Sequence, residues 1–466
     1  MLWILLAAAF VARLALLIAR PPWHDELFTL WASRLTPSRL LEVLRQDSGP
    51  PLFYVLEKPF VSLAEIARSD ALARILPFAA LACLLAPAMR LARDRASIWF
   101  LALAAPSPLL LLYSAEARAY GLLALFDFVL FLLLFRGEPS APRLVGVAAL
   151  TAVALWTHYL AILFVAACAL LLAARRRFSS LAAVSAGALI FLPWVPVLLS
   201  QPEEATSWMR EPLGPSLLAF VSALGGAGRI PSPQGGPLPV LLETTGVVVG
   251  VLLLVVVARA GRADHEGQDA AAVTLLAMVL VLASSLARPI AFPGRSEMAV
   301  LPIWLWSVSK SAATKGPALW ASCALLTVSL TSSVCLLAAA KPEPLPSRAV
   351  ALLTRTAVSQ DRVAASGAFY LPARLAADRG DLRAKVIAYP LEEALHPGWF
   401  RLRVPEPSDE IRLEESIRRT PPGGRFFLLL YPHEYGPGLR SFLASGGTVA
   451  ELIRRPDGLL IVWLRR

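Results

Sequence analysis

Charge is scarce in this chain. Asp, Glu, Lys and Arg make up 17% of its 466 residues, where an ordinary soluble protein carries about 25%. With 57% hydrophobic residues and a mean hydropathy of +0.63, a wholly soluble protein is excluded. Cysteine is also rare. Cys83, Cys168, Cys323 and Cys335 all lie inside apolar runs without the spacing of metal ligands, so they read as small buried hydrophobes. The N-terminus has neither a basic leading segment nor a small-residue cleavage site before Arg20-Pro21-Pro22, which makes Met1 to Ala19 an uncleaved first span. No internal repeat is present. Acidic residues are outnumbered 33 to 44, giving a net charge of +11, yet the basic residues stand at the ends of apolar runs. Membrane proteins use Arg and Lys in this way, so the charge is not that of a nucleic-acid binder.

What the chain does have is apolar segments long enough to span a bilayer. They run over about 2–19, 71–89, 97–113, 119–135, 143–157, 159–174, 180–199, 238–258, 271–287, 297–309 and 317–339. The run from 143 to 174 is divided by parity. Arg136 and Arg143 precede it and Arg175-Arg176-Arg177 follow it. Two cytoplasmic clusters need an even number of spans between them, and the turn then falls at Trp156-Thr157-His158-Tyr159. The chain reads as an α-helical polytopic membrane protein with about eleven transmembrane helices, its N-terminus cytoplasmic and its C-terminus outside. Residues 1–340 form the membrane domain. Beyond Lys341-Pro342-Glu343-Pro344, charges become frequent and apolar runs shorten. Residues 341–466 are expected to form a small extracytoplasmic α/β domain. Its strands are expected at Arg362–Tyr370, Lys385–Tyr389, Arg425–Pro432 and Leu459–Leu464, and its helices at Leu371–Asp378, Ser408–Arg419 and Gly438–Ala444.

This topology gathers the polar turns 20–70, 114–120, 156–159 and 288–297 on the outer face, joined by the long segment 200–237. The Pro231, Pro233, Gly235, Gly236 and Pro237 of that segment suit an irregular lid or a re-entrant piece rather than a span. In the first loop, 27–45 reads as an interfacial amphipathic helix, and 52–67 as a second one. Just before them stand Trp23-His24-Asp25-Glu26. A carboxylate here can take the proton of a hydroxyl, beside a Trp ring on which a sugar can stack; acids at a helix start also serve as caps, and the two uses are compatible. Arg118, in Tyr113–Tyr120, suits bidentate phosphate contact or a snorkelling interface arginine. His158 and Tyr159 suit a pocket or an interfacial anchor, as does Arg295 in Gly294-Arg295-Ser296-Glu297. His24, Asp25, Glu26 and His158 are donors to which a divalent metal could bind, though their spacing is not that of a metal motif.

Taken in order, these segments resemble the membrane-embedded GT-C glycosyltransferases, in particular the protein mannosyltransferase and aminoarabinose transferase type and the RgtA/B/C/D-like bacterial enzymes. The residues that carry the resemblance are Trp23-His24-Asp25-Glu26, Gly49-Pro50-Pro51-Leu52-Phe53-Tyr54, Ala73-Arg74-Ile75-Leu76-Pro77-Phe78, Tyr113–Tyr120, Thr157-His158-Tyr159, Pro193-Trp194-Val195-Pro196 and Gly294–Pro302. Two positions depart from the family pattern: Ser296 follows Arg295 where Tyr is common, and Ser48-Gly49 precedes Pro50-Pro51 where Asp or His is common. The resemblance implies an inverting transfer from a polyprenyl-phosphate sugar to a lipid, glycan or protein hydroxyl at the outer face of a bacterial inner membrane. It implies Asp25 as base with Glu26 assisting, and Arg118, Arg295 and His158 at the donor phosphate. Trp23, His24, Asp47, Tyr54, Glu116, Tyr120 and Tyr159 would line the acceptor or sugar pocket. No cofactor is implied, since arginines can stabilise a departing lipid phosphate without a metal. A transporter or flippase of lipid-linked sugars shares the spans and the charge. It should also show paired broken helices at mid-membrane and internal symmetry.

Overall fold

The computed structural model describes residues 2–90, 94–207, 209–228, 237–260, 265–313, 316–339, 345–397, 407–430, 448–455 and 458–464. In chain order its helices are α1 (Leu2–Ala19), α2 (His24–Ala32), α3 (Pro37–Leu44), α4 (Leu52–Ile66), α5 (Ile75–Arg90), α6 (Arg95–Ala104) and α7 (Pro108–Ser114). They continue with α8 (Tyr120–Phe135), α9 (Ala141–Thr157), α10 (Leu160–Ala174), α11 (Phe178–Phe191), α12 (Val195–Ser200), α13 (Glu204–Ser207) and α14 (Leu213–Leu224). The last are α15 (Pro237–Ala260), α16 (His265–Ala287), α17 (Leu301–Ala312), α18 (Pro317–Ala338), α19 (Leu345–Thr356), α20 (Tyr370–Asp378) and α21 (Pro407–Arg418). Five strands lie near the C-terminus: β1 (Arg362–Ala365), β2 (Lys385–Ala388), β3 (Arg425–Leu430), β4 (Thr448–Arg455) and β5 (Gly458–Leu464).

The chain forms two compact units, one of Met1–Arg20 with Ser48–Ala340 and one of Pro21–Asp47 with Lys341–Arg466. The first is helical and apolar on the outside. Trp3, Ile4, Val11, Ile18, Leu199, Leu286 and Trp320 are exposed, while Trp304, Trp306, Phe100, Phe128 and Phe131 are fully buried. Leu2–Ala19, Phe178–Ser200, Pro237–Arg259, His265–Ala287 and Pro317–Ala338 are long and apolar enough to cross a bilayer, so this is a multi-pass membrane protein. Tyr120–Phe135, Ala141–Thr157 and Leu160–Ala174 are apolar but shorter.

Two expectations need correction within this unit. The span over 97–113 is not one helix: α6 and α7 are bent by 65° at Ala105-Pro106-Ser107, since proline lacks the amide a continuous helix requires. Segment 200–237 is not irregular throughout, because it contains the apolar helix α14; its Pro/Gly stretch from 229 to 236 lies outside the described residues. Segment 52–67 is a helix over Leu52–Ile66, as its pattern leads one to expect, with Pro59 inside it. The α9–α10 turn is as tight as parity requires. Only His158 and Tyr159 separate the two helices, and the His158 backbone is extended at φ −156°.

In the second unit the expected helix over 27–45 is two helices, with Pro37 opening the second. The segment 21–47, expected within the membrane domain, is part of this unit, where α2 packs on α20. The sheet order is β2-β1-β3-β5-β4, parallel for β2, β1 and β3 and antiparallel for β5 and β4. Alternation along the strands divides two cores. Val363, Ala365, Phe427 and Leu429 face α19 and α20 residues, and Ala364, Phe426 and Leu428 meet Leu413 and Ile417 of α21. The expected strand over 362–370 stops at Ala365, after which Tyr370 opens α20. Strand β4 and helix α19 are additional elements. The helix expected at Gly438–Ala444 lies outside the described residues.

Candidate functional site

The sequence-derived site residues fall in both units. Trp23, His24, Asp25, Glu26 and Asp47 belong to the second, and Tyr54, Glu116, Arg118, Tyr120, His158, Tyr159 and Arg295 to the first.

The first turn of α2 treats its two acids differently. Glu26 is 1% exposed, and its Oε2 accepts the Trp23 backbone N–H at 3.4 Å. It therefore acts as the acidic arm of a helix cap. Asp25 is only half-buried, and its backbone carbonyl accepts the Thr29 hydroxyl at 3.1 Å. The rest of the helix buries Leu27, Phe28, Thr29 and Leu30 and so fixes α2 by its apolar face.

In the first unit a cationic and aromatic cluster forms between the ends of α7, α8 and α9 and the turn before α17. Tyr113 and Tyr120 lie ring to ring at 4.7 Å, and Tyr120 and His158 at 5.0 Å. The Arg295 guanidinium stands 6.0 Å from the Tyr120 ring and 4.4 Å from that of Phe292, as cation–π partners do. Arg118 and Arg295 remain half-exposed although their chain neighbours are buried. Gly294 makes this turn possible with φ +84°, which residues with a Cβ rarely adopt. Ser296 ties the turn. Its Oγ accepts the Phe292 N–H at 2.9 Å and donates to the Ile290 carbonyl.

His158 reports the charge of this cluster. Burial, then the nearby Arg118 and Arg295, push its pKa down to about 3. Its Nδ1 accepts the Leu160 backbone N–H at 3.1 Å, so the neutral ring carries its proton on Nε2. The imidazole is thus a neutral hydrogen-bond donor beside two cations, an arrangement able to receive a phosphate.

Not every expected residue turns into the cluster. Glu116 holds Arg20 in a buried ion pair at 2.6 Å, while its carbonyl accepts the Arg118 N–H at 2.7 Å. Arg74 in turn donates to the carbonyls of Leu17 at 2.8 Å and Arg20 at 2.7 Å, capping the end of α1. Arg20 and Arg74 look in sequence like interface arginines, and only their burial distinguishes them. The Tyr159 hydroxyl accepts from Trp194 at 2.8 Å and Gln201 at 2.9 Å. Tyr54 is 5% exposed and packs on Phe53. Among the described residues no group of three or more His, Cys, Asp and Glu is placed to hold a metal.

No protein-family model and no curated protein matches the sequence. The fold does have known relatives. The crystal structure of ArnT from Cupriavidus metallidurans in the apo state matches with a TM-score of 0.61 at 12% identity, over 98% of this chain and 97% of that one. The crystal structure of the same protein bound to undecaprenyl phosphate matches with the same score, identity and coverage. The expected GT-C architecture is therefore the architecture of this chain.

Proposed function

We propose, with the GT-C fold as premise, that this chain is an inverting membrane glycosyltransferase that moves a sugar from a polyprenyl-phosphate carrier to a hydroxyl acceptor. The observation that carries the reading is the Arg118–Arg295–His158 cluster, two cations beside a histidine kept neutral and walled by Tyr113 and Tyr120. A lipid-linked phosphate suits it, as undecaprenyl phosphate does the related ArnT.

In the proposed reaction the acceptor hydroxyl gives its proton to Asp25 and attacks the anomeric carbon. The bond from that carbon to the phosphate oxygen breaks, and the lipid phosphate leaves with the pair of electrons. Charge builds up on the leaving oxygens, where Arg118 and Arg295 would stabilise it and the His158 Nε2–H would donate. Asp25 suits the base because it is half-exposed, whereas Glu26 is committed to the cap. Glu26 would assist by orienting the turn. The site would face the outer side of a bacterial inner membrane, with about eleven spans, the N-terminus inside and the C-terminal unit outside. Sugar and acceptor would vary within hydroxyl chemistry.

The test is a transfer assay. Membranes holding wild-type or Asp25→Asn protein receive radiolabelled polyprenyl-phosphate sugars, with and without chelator. Label should reach an acceptor with wild type and fall by at least about 10²-fold with Asp25→Asn, the lower range for losing a positioned base. Substantial turnover by the variant would remove Asp25 from its role. Protein-dependent movement of labelled lipid across the bilayer without transfer would make the chain a flippase instead.

A further inference from the structure

The acidic loop and the C-terminal half of the chain fold together, although about 300 residues separate Asp47 from Lys341. Segment 21–47 contributes its apolar side to this unit, with Leu27, Phe28 and Leu30 buried and α2 packed on α20. A second contact lies beyond β2. The Phe28 ring, 3% exposed, meets the His396 ring at 5.2 Å and 32°. Next to it, Arg39 of α3 donates to the Leu395 carbonyl at 3.3 Å. The turn that carries His396 is itself fixed, because the Leu391 N–H donates to Asp409 of α21 at 3.0 Å. His396 is 6% exposed.

We propose that the C-terminal α/β unit serves as the holder of the acidic loop, with His396 as the positioning residue that sets the first turn of α2 through Phe28. This rests on the proposed role of Asp25. Phe28 lies one helical turn from Asp25 on a helix of nine residues, so a shift of the Phe28 ring moves the Asp25 carboxylate with it. Misplacing a reacting group by about 1 Å can cost 10²-fold in rate. The charges acting on the His396 ring are Asp47, which favours its protonated form, and His24 and Arg39, which oppose it. Burial is the largest effect; with His24 and Arg39 it prevails over Asp47 and lowers the ring's pKa below the usual histidine value. The contact with Phe28 is therefore made by a neutral ring.

The experiment compares His396→Ala and His396→Phe with wild type in the full-length protein. His396→Ala should lower kcat for sugar transfer by about 10²-fold and leave the Kd for undecaprenyl phosphate within about twofold. His396→Phe keeps an apolar ring against Phe28 and should restore most of kcat. It should also remove any change in the acid side of the pH profile that comes from this imidazole. Hydrogen exchange supplies a readout independent of chemistry. In His396→Ala, exchange should rise across residues 24–32 and stay unchanged across 120–174. Unchanged exchange at 24–32, or an unchanged kcat, overturns the proposal. So does a loss of undecaprenyl phosphate binding that matches the loss of kcat, since that is general damage. If Asp25→Asn proves fully active, the base reading fails, while the exchange result still decides whether His396 holds the loop.

Discussion

Asp25 and Glu26 are adjacent, yet their surroundings give them different work. Glu26 is buried and satisfies the amide at the start of α2, while Asp25 is half-exposed. The pair is legible in sequence as an acidic site, but not the division of labour, which depends on which residue falls at the third helical position. The cationic cluster behaves similarly. Arg118 and Arg295 can be picked out from their loops, but the link between them is His158, held neutral by burial and by both cations. Removing one cation should relax that hold. In Arg118→Ala the His158 pKa should rise, as read by NMR titration of labelled imidazoles with His158→Gln to assign the signal. The same variant should raise KM for the lipid-linked donor by about 10- to 100-fold, the value of a charge-assisted hydrogen bond of about 1.5–3 kcal/mol, with the acceptor KM little changed. An unmoved His158 together with an unmoved donor KM would detach Arg118 from the phosphate. The burial of Arg20 and Arg74 is not legible in sequence, because a buried arginine at the end of a span spells the same as a snorkelling one.

At the scale of elements, hydropathy finds apolar helices and misses how closely they approach. Helix α14 was hidden because its apolar run is short and lies beside a Pro/Gly stretch. Its packing against α15 is nevertheless written in sequence as Gly246-Val247-Val248-Val249-Gly250, a pair of small residues four apart of the kind that lets membrane helices touch backbone to backbone. A Cβ on Gly250 would fall 2.2 Å from the Val221 carbonyl, and one on Gly246 would fall 2.6 Å from the Ala227 side chain. Helix propensity alone would favour replacing Gly250 by Leu, by somewhat under 1 kcal/mol. The steric cost of overpacking, about 1–3 kcal/mol, should win. Gly250→Leu is expected to lower the thermal midpoint in detergent, and an unchanged or higher midpoint would show that α14 and α15 do not meet in this way. The break between α6 and α7 has the opposite legibility. Pro106 and Pro108 mark it plainly, but an uninterrupted apolar run masks the signal when hydropathy is read first.

For the molecule as a whole, the two ends of the helical unit differ in chemistry. At one end, Arg143 donates to the carbonyls of Leu132 and Leu133, and also to that of Arg136, at the close of α8. Arg175 pairs with Asp269 at 2.9 Å, and Lys310 with Glu266 at 2.8 Å. At the other end stand the aromatic rings, Arg118, His158 and Arg295. Parity reasoning divides the helices between these ends because a single turn at His158-Tyr159 returns the chain, and the helices do end there. The composition of the second unit was less accessible to sequence. Its α/β character shows in the spacing of strands and helices, but the return of 21–47 to it depends on contacts between distant segments. Under the proposed topology, read from the positive-inside tendency, Ser140 would lie on the cytoplasmic side and Ser359 on the outer side. Single cysteines in a background without the four native ones test this directly. Ser140 and Ser359 are both exposed, so Ser140→Cys should react with a membrane-impermeant thiol reagent only after the cells are opened. Ser359→Cys should react in intact spheroplasts. The reverse pattern would invert the protein in the bilayer and take the Arg118–Arg295–His158 cluster to the cytoplasmic face. Labelling of both from one side would require an even number of spans between them, and one of the short apolar helices would then turn back within the membrane.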